Sequence, residues 1–159
     1  MSDTILKLIP IAPTFVPPES RQHEALAALV KAFPEAEEPR AETYAEVTFI
    51  DNGENTEAIV CPSCGTRLPL DDDANAETNQ ELFSFFDGDE TPITARLIPM
   101  PCCRKRVVAT SLMFDWPAGF ARFELSIRNP DATRPIDDAV RRRIEGLLGC
   151  AVHEIWAHY

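Results

Sequence analysis

The chain has no uninterrupted apolar stretch approaching the ~20 residues that a helix needs to cross a bilayer, so no membrane-spanning helix is expected among its 159 residues. It also lacks a phosphate-binding G-x-x-x-x-G-K loop, a dinucleotide fingerprint, an H-E-x-x-H motif and a G-x-S-x-G nucleophile elbow. Nucleotide-dependent and common hydrolytic chemistries therefore have no support in the sequence. The opening residues MSDTILKLIPIAPTF place Asp3 before, and Lys7 inside, a short apolar run. A secretory leader has a basic head, a long apolar core and a small-residue cleavage site instead. A cytoplasmic location is expected, where thiols stay reduced and clustered cysteines point to metal or catalysis rather than disulfides. Hydrophobic and charged contents of 45% and 26% are those of a globular protein, and the length suits one domain over 1–159.

Positive charge is scarce in the first part of the chain. Residues 1–100 hold 19 acids and 6 bases, residues 101–159 hold 7 acids and 9 bases, and the net charge is -11. The sharpest block is DDDANAETNQELFSFFDGDE over 71–90, with eight acids and no base. Such a field disfavours general affinity for nucleic acid and favours encounter with a basic protein. Solubility alone is the plainer reading. The block opens like a calcium loop, with Asp71, Asp73 and Asn75 at alternate positions, but Ala76 and Leu82 stand where that loop needs glycine and glutamate.

Along the chain, ILKLIPI reads as a strand. ESRQHEALAALVKAFP reads as an amphipathic helix with Leu26, Leu29, Val30 and Phe33 on one face, Ser20 as cap and Pro34 as stop. PEAEEPRAE reads as an acidic connector. YAEVTFI then alternates, turns at Asn52-Gly53 and returns as TEAIV, the pattern of a hairpin. QELFSFF suggests a short helix within the acidic block. RVVATSLMF and FARFELSI are expected as strands around a DWPAG turn anchored by Trp116, the second with Ala121, Phe123, Leu125 and Ile127 packed and Arg122, Glu124, Ser126 and Arg128 wet. RPIDDAVRRRIEGLLG is a helix with Ile136, Val140, Ile144, Leu147 and Leu148 on one side and Gly149 as its stop. CAVHEIWAHY closes as a strand. No internal repeat is evident. The order implies an α+β fold, a mixed or antiparallel sheet with two long helices on one face, for which a ferredoxin-like arrangement is one compatible topology. A cysteine-bearing element over 61–103 carries the acidic insertion 71–90.

The cysteines carry the most specific chemistry. Cys61 and Cys64 enclose Pro62 and Ser63, and Gly65 follows, so the turn can aim both sulfurs at one point. Zn2+ needs that convergence, with four deprotonated ligands in a tetrahedron at ~2.3 Å. Cys102 and Cys103, beside Pro101, supply a second pair. This pair is contiguous, and 37 residues separate Cys64 from Cys102, longer than the ~15 to 20 of a compact four-cysteine motif. If one cysteine of the second pair is a bystander, His23, Cys150, His153, His158 or an acid completes the shell. Four thiolates around Zn2+ leave a surplus of negative charge that Arg104, Lys105 and Arg106 can offset. Cys150, after a helix stop, reads as a small core residue. Trp156 reads as packed in the core or at an interface, and Arg141, Arg142 and Arg143 as a solvated face. His153-Glu154 does not match the zinc-deaminase signature, and the two strand histidines, five apart, face opposite sides.

The C-P-x-C-G run followed by a second cysteine pair resembles a zinc ribbon. It is also similar to a group of bacterial proteins with a CPxCG … PCC … WPAGFARF pattern, over roughly residues 58–130. The likeness implies a metal site on Cys61, Cys64, Cys102 and Cys103, and no reaction. C-P-x-C resembles the glutaredoxin active site too, but there the first cysteine opens a helix, and Gly65 and Pro69 leave no room for one here.

Three functions stay open. The first is a non-enzymatic protein, braced by structural zinc, that binds a basic partner through Asp71, Asp72, Asp73, Glu77, Glu81, Asp87, Asp89 and Glu90. Its most concrete form is an immunity- or antitoxin-like inhibitor of a cationic toxin. The second is a zinc-ribbon adaptor for nucleic acid or transcription machinery, using Arg104, Lys105, Arg106, Arg141, Arg142 and Arg143. The third is thiol-disulfide exchange through Cys61 and Cys64. The sequence leaves the oligomeric state open.

Overall fold

The computed structural model describes residues 2–71, 80, 92–132 and 134–159. In chain order the elements are β1 (Thr4–Pro10), α1 (Glu19–Ala32), β2 (Glu37–Ile50), β3 (Ala58–Val60), β4 (Arg67–Pro69), β5 (Leu97–Pro99), β6 (Arg106–Val108), a 3-10 turn (Ala109–Ser111), β7 (Met113–Phe114), β8 (Gly119–Arg128), α2 (Asp138–Leu148) and β9 (Val152–His158). They form two compact units. One joins Met1–Gly53 to Gly119–Tyr159, and the other is Glu54–Ala118, within which the cysteine-bearing element expected over 61–103 lies.

The first unit is an α+β layer pair. Its four strands stand in the order β2-β8-β1-β9, and each neighbouring pair is antiparallel. Leu6 and Leu8 of β1, Phe123, Leu125 and Ile127 of β8, and Val152 and Trp156 of β9 bury one face of the sheet against Ala25 and Leu29 of α1 and Ile144 and Leu148 of α2. Each fully buried leucine contributes on the order of 2 kcal/mol. Two β-α-β halves interleaved in this strand order make the ferredoxin-like arrangement. Ala121 belongs instead to a smaller cluster with Ile9, Ile50 and Ile155.

Local chemistry sets the helix ends. Asp137 caps α2, its side-chain oxygen accepting from the Ala139 amide at 2.7 Å. Gly149 ends the helix in the left-handed region at φ 77. At α1 the expected cap fails: Pro18 is the capping residue and makes no side-chain bond, while Ser20 lies inside the helix. The buried stripe is Ala25 and Leu29, with Leu26 and Phe33 packed against it, and Val30 is exposed.

Three expectations about the strands are corrected. The acidic connector is part of β2, which starts at Glu37 and absorbs Pro39 through register shifts; a proline is tolerated there because β2 is an edge strand. The expected hairpin across Asn52-Gly53 does not form, since β2 pairs with β8 and β3 pairs with β4 and β7. Gly53 instead bridges to His158, and a Cβ there would lie 2.1 Å from the His158 carbonyl oxygen. The stretch 106–114 is broken by the 3-10 turn into β6, paired with β5, and β7, paired with β3. Trp116 is therefore not a hairpin anchor and stands exposed. Of the possible helix at 80–86, Gln80 is described and helical; 81–86 and most of the acidic block lie outside the described residues.

The sheet face away from the helices is not wet at its centre. Lys7 and Glu124 are 7% and 8% exposed. The Lys7 ammonium donates to the Asp51 carbonyl and to the Tyr159 hydroxyl, each at 3.0 Å. Burial opposes its charge, but Tyr159 and Asp51 outweigh that and raise its pKa. Tyr44 places its hydroxyl 2.9 Å from Glu42 and 3.0 Å from Glu124. One hydroxyl proton cannot serve two carboxylates, so one contact needs a protonated acid. Burial pushes the Glu124 carboxyl above its ordinary 4.5, against the pull of the Lys7 ammonium. At the far end of the sheet Asp3 and Tyr159 exchange both backbone hydrogen bonds at 3.0 Å.

Native Glu124 keeps its proton in a pH window, from 4.5 upward, where the unfolded chain has released it. Stability therefore falls as pH rises through that window. Glu124→Gln is expected to remove this slope, so its stability relative to the wild type climbs with pH. Urea denaturation across pH 4 to 8 measures it, and parallel curves would show Glu124 ionised in the native state.

Candidate metal centre

The second unit is built from one hairpin used twice, contrary to the expectation of no repeat. In the first hairpin Ala58, Ile59 and Val60 face Pro69, Leu68 and Arg67. In the second Leu97, Ile98 and Pro99 face Val108, Val107 and Arg106. Every position of one maps onto the other by a constant shift. Beyond the strands, the Leu70 amide donates to the Glu57 carbonyl at 2.9 Å, and the equivalent Ala109 amide donates to Arg96 at 2.9 Å.

The turns match as closely. In the first, the Cys61 amide donates to the Thr66 carbonyl at 2.9 Å and the Gly65 amide to the Cys61 carbonyl at 2.8 Å. In the second, the Met100 amide donates to Lys105 at 2.9 Å and the Arg104 amide to Met100 at 2.8 Å. Gly65 and Arg104, at the same turn position, both have positive φ, 76 and 60. Met100 thus occupies the place of Cys61, Cys102 that of Ser63, and Cys103 that of Cys64. The unusual backbone that a contiguous pair requires is this turn, with its left-handed residue at Arg104.

The two turns bring all four cysteines together, with ligand atoms all within 4.8 Å of one another. Cys61 and Cys103 sulfurs are 3.9 Å apart, and Cys64 and Cys102 are 3.3 Å apart. A tetrahedron with sulfur at ~2.3 Å from the ion has sulfur-sulfur edges of ~3.8 Å, so sulfurs gathered this closely could hold a metal ion, and they are too far apart to be covalently bonded. All five cysteines are free. Cys61 is rooted in the apolar cluster of Ile59, Leu68, Ile98, Met100, Ala109 and Leu112. Cys103 is half-buried, and Cys64 and Cys102 are exposed.

The Cys64 thiol is the acidified one of the Cys64–Cys102 pair. Its sulfur lies 3.1 Å from the Thr66 hydroxyl, and hydrogen bonds from the Thr66 side chain, the Thr66 backbone and Cys102 bring its pKa down to about 6. Cys102 is pushed up to about 12, by its protein surroundings and then by hydrogen bonding to Cys64. A cation at the centre reverses the second effect, because a coordinating thiol is deprotonated outright. The arrangement can hold a soft or borderline metal ion.

The other proposed ligands are elsewhere. Cys150 packs against the core of the first unit, where burial raises its thiol pKa. The His158 ring bonds Thr4 at 3.0 Å and also meets Arg134. Among the described residues, the four cysteines form the one cluster able to hold a metal. No helix follows Cys61; the chain enters β4 instead. Arg104, Lys105 and Arg106 are exposed, whereas Arg141 is tied to Glu154 at 2.6 Å and does not share a purely solvated face with Arg142 and Arg143. Glu154 also accepts from the Ile136 amide at 3.0 Å and the Trp156 indole at 2.6 Å, and Trp156 is buried in the core as expected. Of the eight acids proposed for a partner, Asp71 is described and exposed; Asp72, Asp73, Glu77, Glu81, Asp87, Asp89 and Glu90 lie outside the described residues. Sequence reasoning missed Thr66 and Met100. Aligning IVCPSCGTRL with IPMPCCRKRV, which share an isoleucine-proline-cysteine-arginine frame at 59/98, 62/101, 64/103 and 67/106, exposes both.

No family model, curated protein or solved structure matches the chain.

The equivalent turn positions give opposite expectations. Gly65→Ala meets nothing within 4 Å and should destabilise the second unit only by the left-handed strain, about 1 kcal/mol. Arg104→Gly should relieve a similar strain and stabilise by about the same amount. Thermal denaturation at fixed metal loading checks the pair, and two changes of the same sign would contradict the equivalence of the turns.

Proposed function

We propose that Cys61, Cys64, Cys102 and Cys103 hold a structural Zn2+ ion in a zinc-ribbon-like second unit. In this reading the protein is not an enzyme and acts by binding a basic protein partner. The observation that carries the metal is the convergence of four sulfurs from two separate turns. An all-sulfur donor set of four suits zinc, and the four-residue likeness between the turns matches the zinc-ribbon resemblance of the sequence. Arg104, Lys105 and Arg106 would offset the negative charge of the loaded site.

The partner reading rests on charge. A chain of net charge -11, with eight acids over 71–90, attracts a cationic surface and speeds encounter with it. An immunity- or antitoxin-like inhibitor of a basic toxin is the most concrete form, and it belongs with a cytoplasmic location. The described residues contain no helix long and apolar enough to cross a membrane.

Native mass measurement is expected to find one zinc per chain, lost on chelation together with a lowered melting temperature of the second unit. A metal-free protein whose melting is indifferent to zinc would overturn the metal. For the partner, the wild type and a variant with the eight acids of 71–90 changed to Asn or Gln are immobilised and exposed to host lysate. The wild type should retain basic proteins that elute as salt screens the field, at roughly 0.3 to 0.5 M, and the variant should not. Equal retention would dismiss the acidic block, while an electrophoretic shift of DNA or RNA at low salt would favour the adaptor reading through Arg104, Lys105 and Arg106 instead.

A further inference from the structure

The two turns supply their ligands differently. In the first, Cys61 stands at the opening position and Cys64 three residues on. In the second the opening position is Met100, as buried as Cys61 and in the same apolar cluster, and the pair comes from the third and fourth positions, Cys102 and Cys103. A ligand rooted in the core has been exchanged for one at the surface.

This exchange gives the sulfur cluster two unlike edges. Cys61 and Cys103 are buried and half-buried, with sulfurs 3.9 Å apart. Cys64 and Cys102 are both exposed, come from different hairpins, and lie closer, at 3.3 Å. A solvent-borne oxidant meets the second edge first, and the reactivity of a cysteine follows its thiolate character and exposure. An ordinary two-turn site that drew its ligands from the first and fourth position of each hairpin would have two buried ligands.

Resting on the reading of these cysteines as a metal site, we propose that the Cys64–Cys102 edge is a redox release point. There hydrogen peroxide, or another two-electron peroxide oxidant, joins the two sulfurs and frees the ion. One thiolate attacks a peroxide oxygen, breaking the O–O bond, so that a sulfenic acid and hydroxide form. The second thiolate attacks the sulfenic sulfur and expels a second hydroxide, closing the S–S bond. The two sulfurs lose two electrons, the peroxide gains them, and two solvent protons convert the hydroxides to water. Zinc takes no part in the electron transfer. With only Cys61 and Cys103 left as ligands it departs, and a covalent Cys64–Cys102 link replaces the metal clasp between the hairpins until a dithiol reductant and fresh zinc restore it.

The test uses the zinc-loaded full chain. Hydrogen peroxide is added, zinc release is followed with a chromogenic chelator, and disulfides are mapped by peptide mass under non-reducing conditions. One zinc should leave for each Cys64–Cys102 disulfide formed, and reduction with added zinc should reverse both. The double variant Met100→Cys with Cys102→Ser returns the fourth ligand to the buried position. It should bind one zinc and release it at least about tenfold more slowly at the same peroxide concentration. A disulfide between any other pair, or an unchanged release rate in the double variant, overturns the proposal. Should the double variant fail to take zinc, the wild-type disulfide map decides alone. A wild-type chain that binds no zinc overturns the metal reading and the release with it, whereas a zinc-bound chain giving another disulfide overturns only the release edge.

Discussion

A hairpin with strands three residues long has too little pairing and too little buried surface to stand by itself in water. The second unit is assembled from two such hairpins, β3–β4 and β5–β6. Among the described residues its apolar cluster centres on Ile59, Cys61, Leu68, Ile98, Met100, Ala109 and Leu112, and the four sulfurs that converge at it are the one place where the two hairpin turns meet. The turn that produces it is built by main-chain hydrogen bonds at each end, so the identity of the side chains inside the turn is free to vary. That freedom is why one copy reads CPSC and the other MPCC while both deliver two sulfurs to the same place.

The first unit solves a different problem. One face of its sheet is covered by α1 and α2, and the other carries two buried ionisable groups, Lys7 and Glu124, whose partners reach toward solvent. Lys7, Asp51 and Tyr159 satisfy one another, as do Glu42, Tyr44 and Glu124. Buried polar groups are tolerated only when partnered in this way. Here partners come from β1, β2, β8 and the chain's last residue, so the network ties together strands distant in sequence.

Much of the first unit was legible because its signals are local. Asp137, Ile144, Leu148 and Gly149 mark α2 by capping and 3.6-residue spacing, and Phe123, Leu125 and Ile127 mark a core face by alternation. The errors arose where tertiary context overruled a local cue. Asn52-Gly53 looks like a hairpin turn, yet Gly53 is needed for its close approach to His158, and the strand before it finds β8 instead of β3. Glu124 looks wet by alternation because period alone cannot say what lies over a sheet face. Pro39 reads as a connector because a sequence does not announce which strand will be at an edge. The four cysteines were legible as a set, since cysteine pairs beside proline are uncommon and specific. The repeat that positions them was not, because the shared frame is a few residues spread over ten, and the decisive similarity is a φ angle at Gly65 and Arg104.

Asp3 and Tyr159 pair back to back where β1 meets β9, so the N-terminal and C-terminal ends of the described chain sit side by side. Any tag, leader or partner domain fused before residue 3 and any fused after residue 159 would emerge from one corner of the sheet and compete for the same space. A short peptide joining residue 3 to residue 159 would span almost no distance.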